Sequence, residues 1–292
     1  MNSGIKYITR WKKHSVLISN LFLVTLFTCK AQNIEQTLDF GSRQFNMGNT
    51  QETIGLYRRV LFFDSLNIHS FDVCKNLASC YISVDDYPKA RAFSKMAANF
   101  APTDSLRADL IFQVAYLYLL ENDYNYALIE LLGIKESQSG YFQLKRNFYL
   151  GVAYFQQTDY QKSIDCFLNC IDSTSHERRE ELNRILKDIR HIDKRYNPKT
   201  AGILSMILPG LGQLYCGEYK GAVNSLALMA GLAFLYINTI YHYSFLDATI
   251  SVLPWFQRYY QGGFQNAEKA TIIKKQNRIK EQYHNILSVI EP

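Results

Sequence analysis

Cys166 and Cys170 stand one helical turn apart and are the nearest approach in this chain to a metal or redox pair. Such a pair needs further ligands, or a geometry that lets two sulfurs meet. No histidine falls at ligand spacing beside them, and an i, i+4 disulfide along a helix is geometrically awkward. Both also occupy small or apolar positions of a helical pattern, where a thiol serves as a small hydrophobe. No metal and no cofactor are therefore expected. His14, His69, His176, His191, His242 and His284 are scattered and read as surface or boundary residues. Gly-x-Ser-x-Gly, Walker, His-Glu-x-x-His and Cys-x-x-Cys signatures are missing. Gly210-Leu211-Gly212 is no nucleotide loop, since no strand precedes it and no phosphate-binding lysine follows in register. Asp247, an acid inside an apolar segment, would suit a transport path, but its place near a loop reads better as interfacial. The chain is expected not to be an enzyme.

The most informative segment is Pro209-Gly210-Leu211-Gly212-Gln213-Leu214-Tyr215-Cys216-Gly217, which precedes a strongly apolar stretch ending near Phe256. The glycines permit close backbone packing, Pro209 interrupts a helix, and Gln213 and Tyr215 are polar groups suited to an interfacial depth. Gly221 to Tyr241 carries no charge and is long enough to cross hydrocarbon. Ala201 to Leu208 is shorter and suits a half-inserted or interfacial helix. Ser244 to Phe256, broken at Pro254, is just long enough for a second crossing when extended through Tyr259 and Tyr260. Trp255, Tyr259 and Tyr260 would supply an aromatic belt.

The chain of 292 residues has room for two modest domains, and 48% apolar with 14% aromatic residues excludes disorder. The net charge of +6 gathers at the two ends, beside apolar segments, and reads as topological. A continuous basic face for nucleic acid is not seen, so none is expected as a partner. Residues 1–31 resemble a signal peptide: a basic start, an apolar run from Val16 to Phe27, and small residues at Cys29 and Ala31. Cleavage after Ala31 is the preferred reading; acylation of Cys29 and an uncleaved anchor are the alternatives. All three send the following domain out of the cytoplasm.

Between these ends the sequence repeats. Turn positions Gly48, Asp85, Asn122 and Thr158 recur at intervals of 37, 37 and 36 residues, each between two helical patterns. Small residues stand in phase on the first helix (Gly41, Ala78, Ala115, Gly151) and on the second (Thr53, Ala90, Ala127, Ser163). The pattern over about residues 34–175 resembles the tetratricopeptide repeat, although Ser94 replaces a large residue and only Pro102 keeps a terminal proline. The resemblance implies an all-α fold: a TPR-like helical-repeat superhelix, capped by a helix over 176–197, followed by a short transmembrane helical module. It also implies a concave groove at Phe45, Phe112, Tyr116, Phe148, Val152 and Phe155, suited to a protein partner with apolar anchors. The same groove could be filled by helices of the chain itself.

The second half resembles a bacterial membrane family of unknown function, on Pro209, Gly210, Gly212, Gln213, Tyr215 and Gly217 followed by Arg258, Tyr259, Tyr260, Gly262 and Gly263. It implies a membrane module over 200–263, then a basic amphipathic tail helix over 264–292. The motif favours a two-crossing hairpin. The basic tail favours one crossing, with repeats outside and tail inside. The expected function is a non-catalytic membrane-tethered scaffold at the bacterial cell envelope, partnered by the bilayer and a protein, with homo-oligomers left open. The alternative is a small membrane transport or lipid-handling module that the repeats assemble into oligomers.

Overall fold

The computed structural model describes residues 33–134 and 140–291. The expected signal peptide, and with it Cys29, lies outside the described residues. Those residues are helical throughout, with no strand among them. The chain divides into two compact units at Arg146 and Asn147.

The first unit is built from α1 (Ile34–Asn46), α2 (Thr50–Phe63), α3 (Ser70–Ser83), α4 (Tyr87–Asn99), α5 (Asp104–Leu120), α6 (Tyr124–Leu132) and the start of α7 (Gly140–Gln156). Each pair ends its first helix in the same way. Gly48, Asp85 and Asn122 have left-handed backbones, with φ of 82°, 56° and 63°. Their N–H groups donate to Phe45, Ile82 and Leu119, and the next N–H groups to Gln44, Tyr81 and Tyr118. These are Schellman turns, which satisfy orphan carbonyls at the helix end. In repeats two and three the turn residue also accepts a hydroxyl bond, from Tyr87 to Asp85 at 2.9 Å and from Tyr124 to Asn122 at 2.6 Å. Asp86 then caps α4 through the Lys89 N–H.

Small side chains set how closely the paired helices cross. Gly41, Ala78, Ala115, Thr53, Ala90 and Ala127 are all buried. A Cβ on Gly41 would come within 2.9 Å of the Tyr57 ring. Sixteen residues after Ala78 and Ala115 stand Ser94 and Leu131, so alanine is present where the facing side chain is not aromatic. Tyr57, Leu77 and Leu117 lie in one core with Val73 and Tyr81.

The second unit continues along α7 into α8 (Tyr160–Leu168), α9 (His176–Arg195), α10 (Pro198–Ile207), α11 (Leu211–Cys216), α12 (Tyr219–His242), α13 (Phe245–Ser251) and α14 (Leu253–Ile290). Thr158 repeats the turn, with φ 65° and bonds to Phe155 and Tyr154. Gly151 repeats the close crossing: its Cβ would stand 2.6 Å from Phe167, and its carbonyl accepts from Ser163 Oγ at 2.8 Å.

α12 is the one helix, among the described residues, that is long and apolar enough to cross a membrane, and almost none of it is covered. Phe234 is 73% exposed, and Val223, Leu226 and Ile237 are exposed beside it. The chain then doubles back. Tyr236 Oη lies 3.3 Å from Thr249 Oγ1, and Gly263 stands beside Ser225.

One boundary expected from the sequence is not a helix break: α14 runs unbroken for 38 residues from the returning arm to Ile290. Within the second unit, its end packs on repeat four and α9. Lys275 pairs with Asp193 of α9 at 2.6 Å, and Tyr283 packs on Phe155 with ring centres 4.6 Å apart. Ile286 is buried among Ile164, Phe167, Leu182 and Ile189. Arg178 donates to the Val289 and Ile290 carbonyls at 2.7 and 2.8 Å, capping the helix end. Apolar burial decided this: the α9 stripe and the repeat-four helices needed a cover, and α14 supplies it.

Candidate functional site

The two glycine-containing motifs meet, and Gln213 joins them. Its side chain is 3% exposed. Gln213 Nε2 donates to the Gly263 carbonyl at 3.0 Å, and its Oε1 accepts from Ser205 Oγ at 3.1 Å. Ser205 Oγ in turn accepts the Gly212 N–H at 2.9 Å. One amide thus ties α10, α11 and α14, through the buried Ser205 hydroxyl and the half-buried Gly263 carbonyl. The neighbouring motif residues explain themselves by contact. A Cβ on Gly212 would collide with the Ala201 carbonyl and stand 2.7 Å from Ala267. Gly210 and Gly217 have φ of 98° and 81°, and a Cβ on Gly210 would meet the Ala222 carbonyl at 2.6 Å. Tyr215 donates to the Arg195 carbonyl and accepts from the Asn197 N–H. Tyr260 donates to Met206 at 2.6 Å. Pro209 stands between α10 and α11, while Arg258 is exposed on α14. Asp247 is a cap partner: its N–H donates to Ser244 Oγ, which donates back to its carboxylate at 2.7 Å.

Beside this joint lies a cleft of about 660 Å³ between the start of α12 and the face of α14. Gln213, Gly217, Tyr259, Gly262 and Gly263 border it, so both motifs contribute to its wall. Further along, its lining includes Asn224 and Ser225 on α12 and Asn266, Lys269, Lys274 and Asn277 on α14. Only the motif residues were legible beforehand. A period of three to four from Gly221 through Asn224, Ser225 and Leu228 was the available signal for a polar stripe on the membrane-length helix.

The groove residues separate into different environments. Phe112 is 2% exposed, stacked on Phe142 at 6.2 Å with Lys145 Nζ over its ring at 4.7 Å. Phe155 is 7% exposed beneath Tyr283 and Tyr160. Phe148 and Val152 are half-buried against the same core, and Phe45 half-buried against that of the first unit. Tyr116 alone of the six is open, 46% exposed. Phe155 is covered by the end of α14, through Tyr283.

Among the described residues no cluster of three or more His, Cys, Asp or Glu side chains could hold a metal ion. Burial pushes the Cys74 and Cys80 thiols up to about 11, and the Cys170 thiol to about 12. Thiols held protonated in this way are poor nucleophiles. Compared with family models and with curated proteins, the chain matches none of either.

Proposed function

We propose that this chain is a non-catalytic, membrane-tethered scaffold, with tetratricopeptide-like repeats that bind a protein partner at the bacterial cell envelope. The observation that carries the tether is α12, whose apolar surface is left bare along 24 residues. At about 1.5 Å per residue it matches a hydrocarbon layer about 30 Å thick. Water would oppose such a surface by roughly 25 cal/mol per Å². The returning arm through α13 into α14 supports a hairpin, with repeat four and the basic tail that packs on it on one face of the bilayer. The signal-like segment supports the face outside the cytoplasm.

The repeats offer the partner site. Tyr116 stands open on α5 in the groove that the resemblance implies, whereas Phe112 and Phe155 hold the core. A photo-crosslinker at position 116 of the full-length chain in intact cells should trap one reproducible envelope protein. The same group at the exposed, off-groove Phe62 should not. Equal capture at both positions would sink the groove. Alkaline carbonate should leave the chain in the membrane, and extraction of the intact chain would sink the tether.

A second reading, a lipid-handling module assembled by its repeats, is favoured by one observation: the polar cleft beside the membrane-length helix.

A further inference from the structure

We propose that the cleft between α12 and α14 binds the phosphate group of an anionic lipid headgroup. The proposal deepens the lipid-handling reading and rests on it. Its first support is where the polar groups stand. Asn224 and Ser225 lie within two turns of the start of a helix that is otherwise built for hydrocarbon. A polar side chain facing lipid goes unsatisfied, and these two face the cleft instead. Opposite them, Asn266 and Asn277 add amide donors from α14.

Charge is the second support. Lys269 and Lys274 are the only basic residues of the lining, and among the described residues neither is paired with a carboxylate. Their neighbours on the same helix are paired, Lys275 with Asp193 and Arg278 with Glu281. The one acid of the lining, Glu218, lies against the first turn of α12 at the edge of the cleft, its Cδ 3.1 Å from where a Gly221 Cβ would stand. There the positive end of the helix dipole accommodates it. Two ammonium groups with amide and hydroxyl donors match a phosphate's acceptor oxygens.

The third support separates a lipid from a free anion. Leu228 and Ile273, both exposed, border the cleft beside the bare apolar face of α12. A bound phosphate therefore has apolar surface next to it, where the start of an acyl chain would lie.

The test uses the full-length protein in a neutral detergent, with bound lipid counted by native mass spectrometry. Phosphatidylglycerol and phosphatidylcholine compete for the wild type, for Lys269→Gln/Lys274→Gln, and for Lys280→Gln as a charge control outside the cleft. Wild type should keep one phosphatidylglycerol in preference to phosphatidylcholine. The double variant should lose about fivefold in retention per lysine, roughly twenty-five-fold in all, with the control unchanged. Equal loss in control and double variant overturns the site, and equal retention of both lipids, which share the phosphate, overturns the anionic headgroup as its occupant. Displacement by millimolar inorganic phosphate overturns the lipid and leaves a free-anion site. Carbonate extraction of the same variants reports on the membrane reading separately, since the micelle count does not require a bilayer crossing.

Discussion

Replacing Gln213 by leucine is the sharpest test of how the two motifs work. Leucine nearly conserves volume, so the cost is one of hydrogen bonds. The bond to Gly263 and the bond from Ser205 are lost. Gly263 sits inside α14 and its carbonyl can keep the helical bond, while the Ser205 hydroxyl can turn to a backbone carbonyl one helical turn earlier. The penalty is therefore about 1 kcal/mol per bond, about 2 in all, rather than the full cost of two orphaned groups. Ser205→Ala should cost a similar amount, because it removes the acceptor for the Gly212 N–H. With both partners apolar, the double variant should lose about 1 kcal/mol less than the two singles together. In thermal melts of the detergent-solubilised chain, at about 3 °C per kcal/mol, Gln213→Leu should melt about 6 °C below wild type. A Gln213→Leu protein that melts with wild type, or a double variant that is strictly additive, would refute the idea of Gln213 as the pin between helices. If it melted normally yet lost phosphatidylglycerol, Gln213 would belong to the ligand.

Three other outcomes follow from the repeats. Thr158→Gly should raise stability by about 0.5–1 kcal/mol in urea, because a β-branched residue is held at φ 65° while repeat one uses glycine there. Gly151→Ala should lower it by about 1–3 kcal/mol through collision with Phe167, more than Gly41→Ala does against Tyr57. Adding Phe167→Leu, which copies the Ala115 and Leu131 combination of repeat three, should recover part of that loss. Cys74 and Cys80, fully buried with pKa values near 11, should resist a disulfide reagent at pH 8 until the chain is unfolded. The sign in alkali follows from the same shift. The folded state keeps a thiol proton that the unfolded chain gives up from about 9, so stability should fall as pH rises from 9 toward 11.

The repeat phase was legible because it is written in backbone chemistry. A left-handed turn accepts Gly, Asp or Asn readily, and a close helix crossing accepts only small residues, so each leaves a fixed residue type at a fixed interval. Thr158 broke the turn rule, yet the interval alone located it. The motif residues were legible by type, but their roles were not. Gln213 looked like a polar group for an interface, and only its partners on α10 and α14 turn it into a joint. Burial of Phe155 was the least legible feature. Helical periodicity says that an aromatic faces inward, but does not say whether a helix more than a hundred residues away will cover it.

That distant cover changes what the modules mean. Motifs divide the chain into repeats, cap, membrane hairpin and tail, whereas packing makes repeat four, α9 and the end of α14 a single core. Ile286 belongs to that core as fully as Phe167 does, and Tyr283 packs against it. Cutting the tail from the last repeat would uncover Phe155 and Ile164, so the anchor and the end of the array cannot be exchanged as independent pieces. For the proposed scaffold the consequence is directional. Aromatic residues of repeat four are committed to packing on the end of α14, and their mutation reports on folding before it reports on any partner. A test of the proposed partner site therefore belongs on the first unit, where Tyr116 is exposed and can be altered without removing a residue from the core.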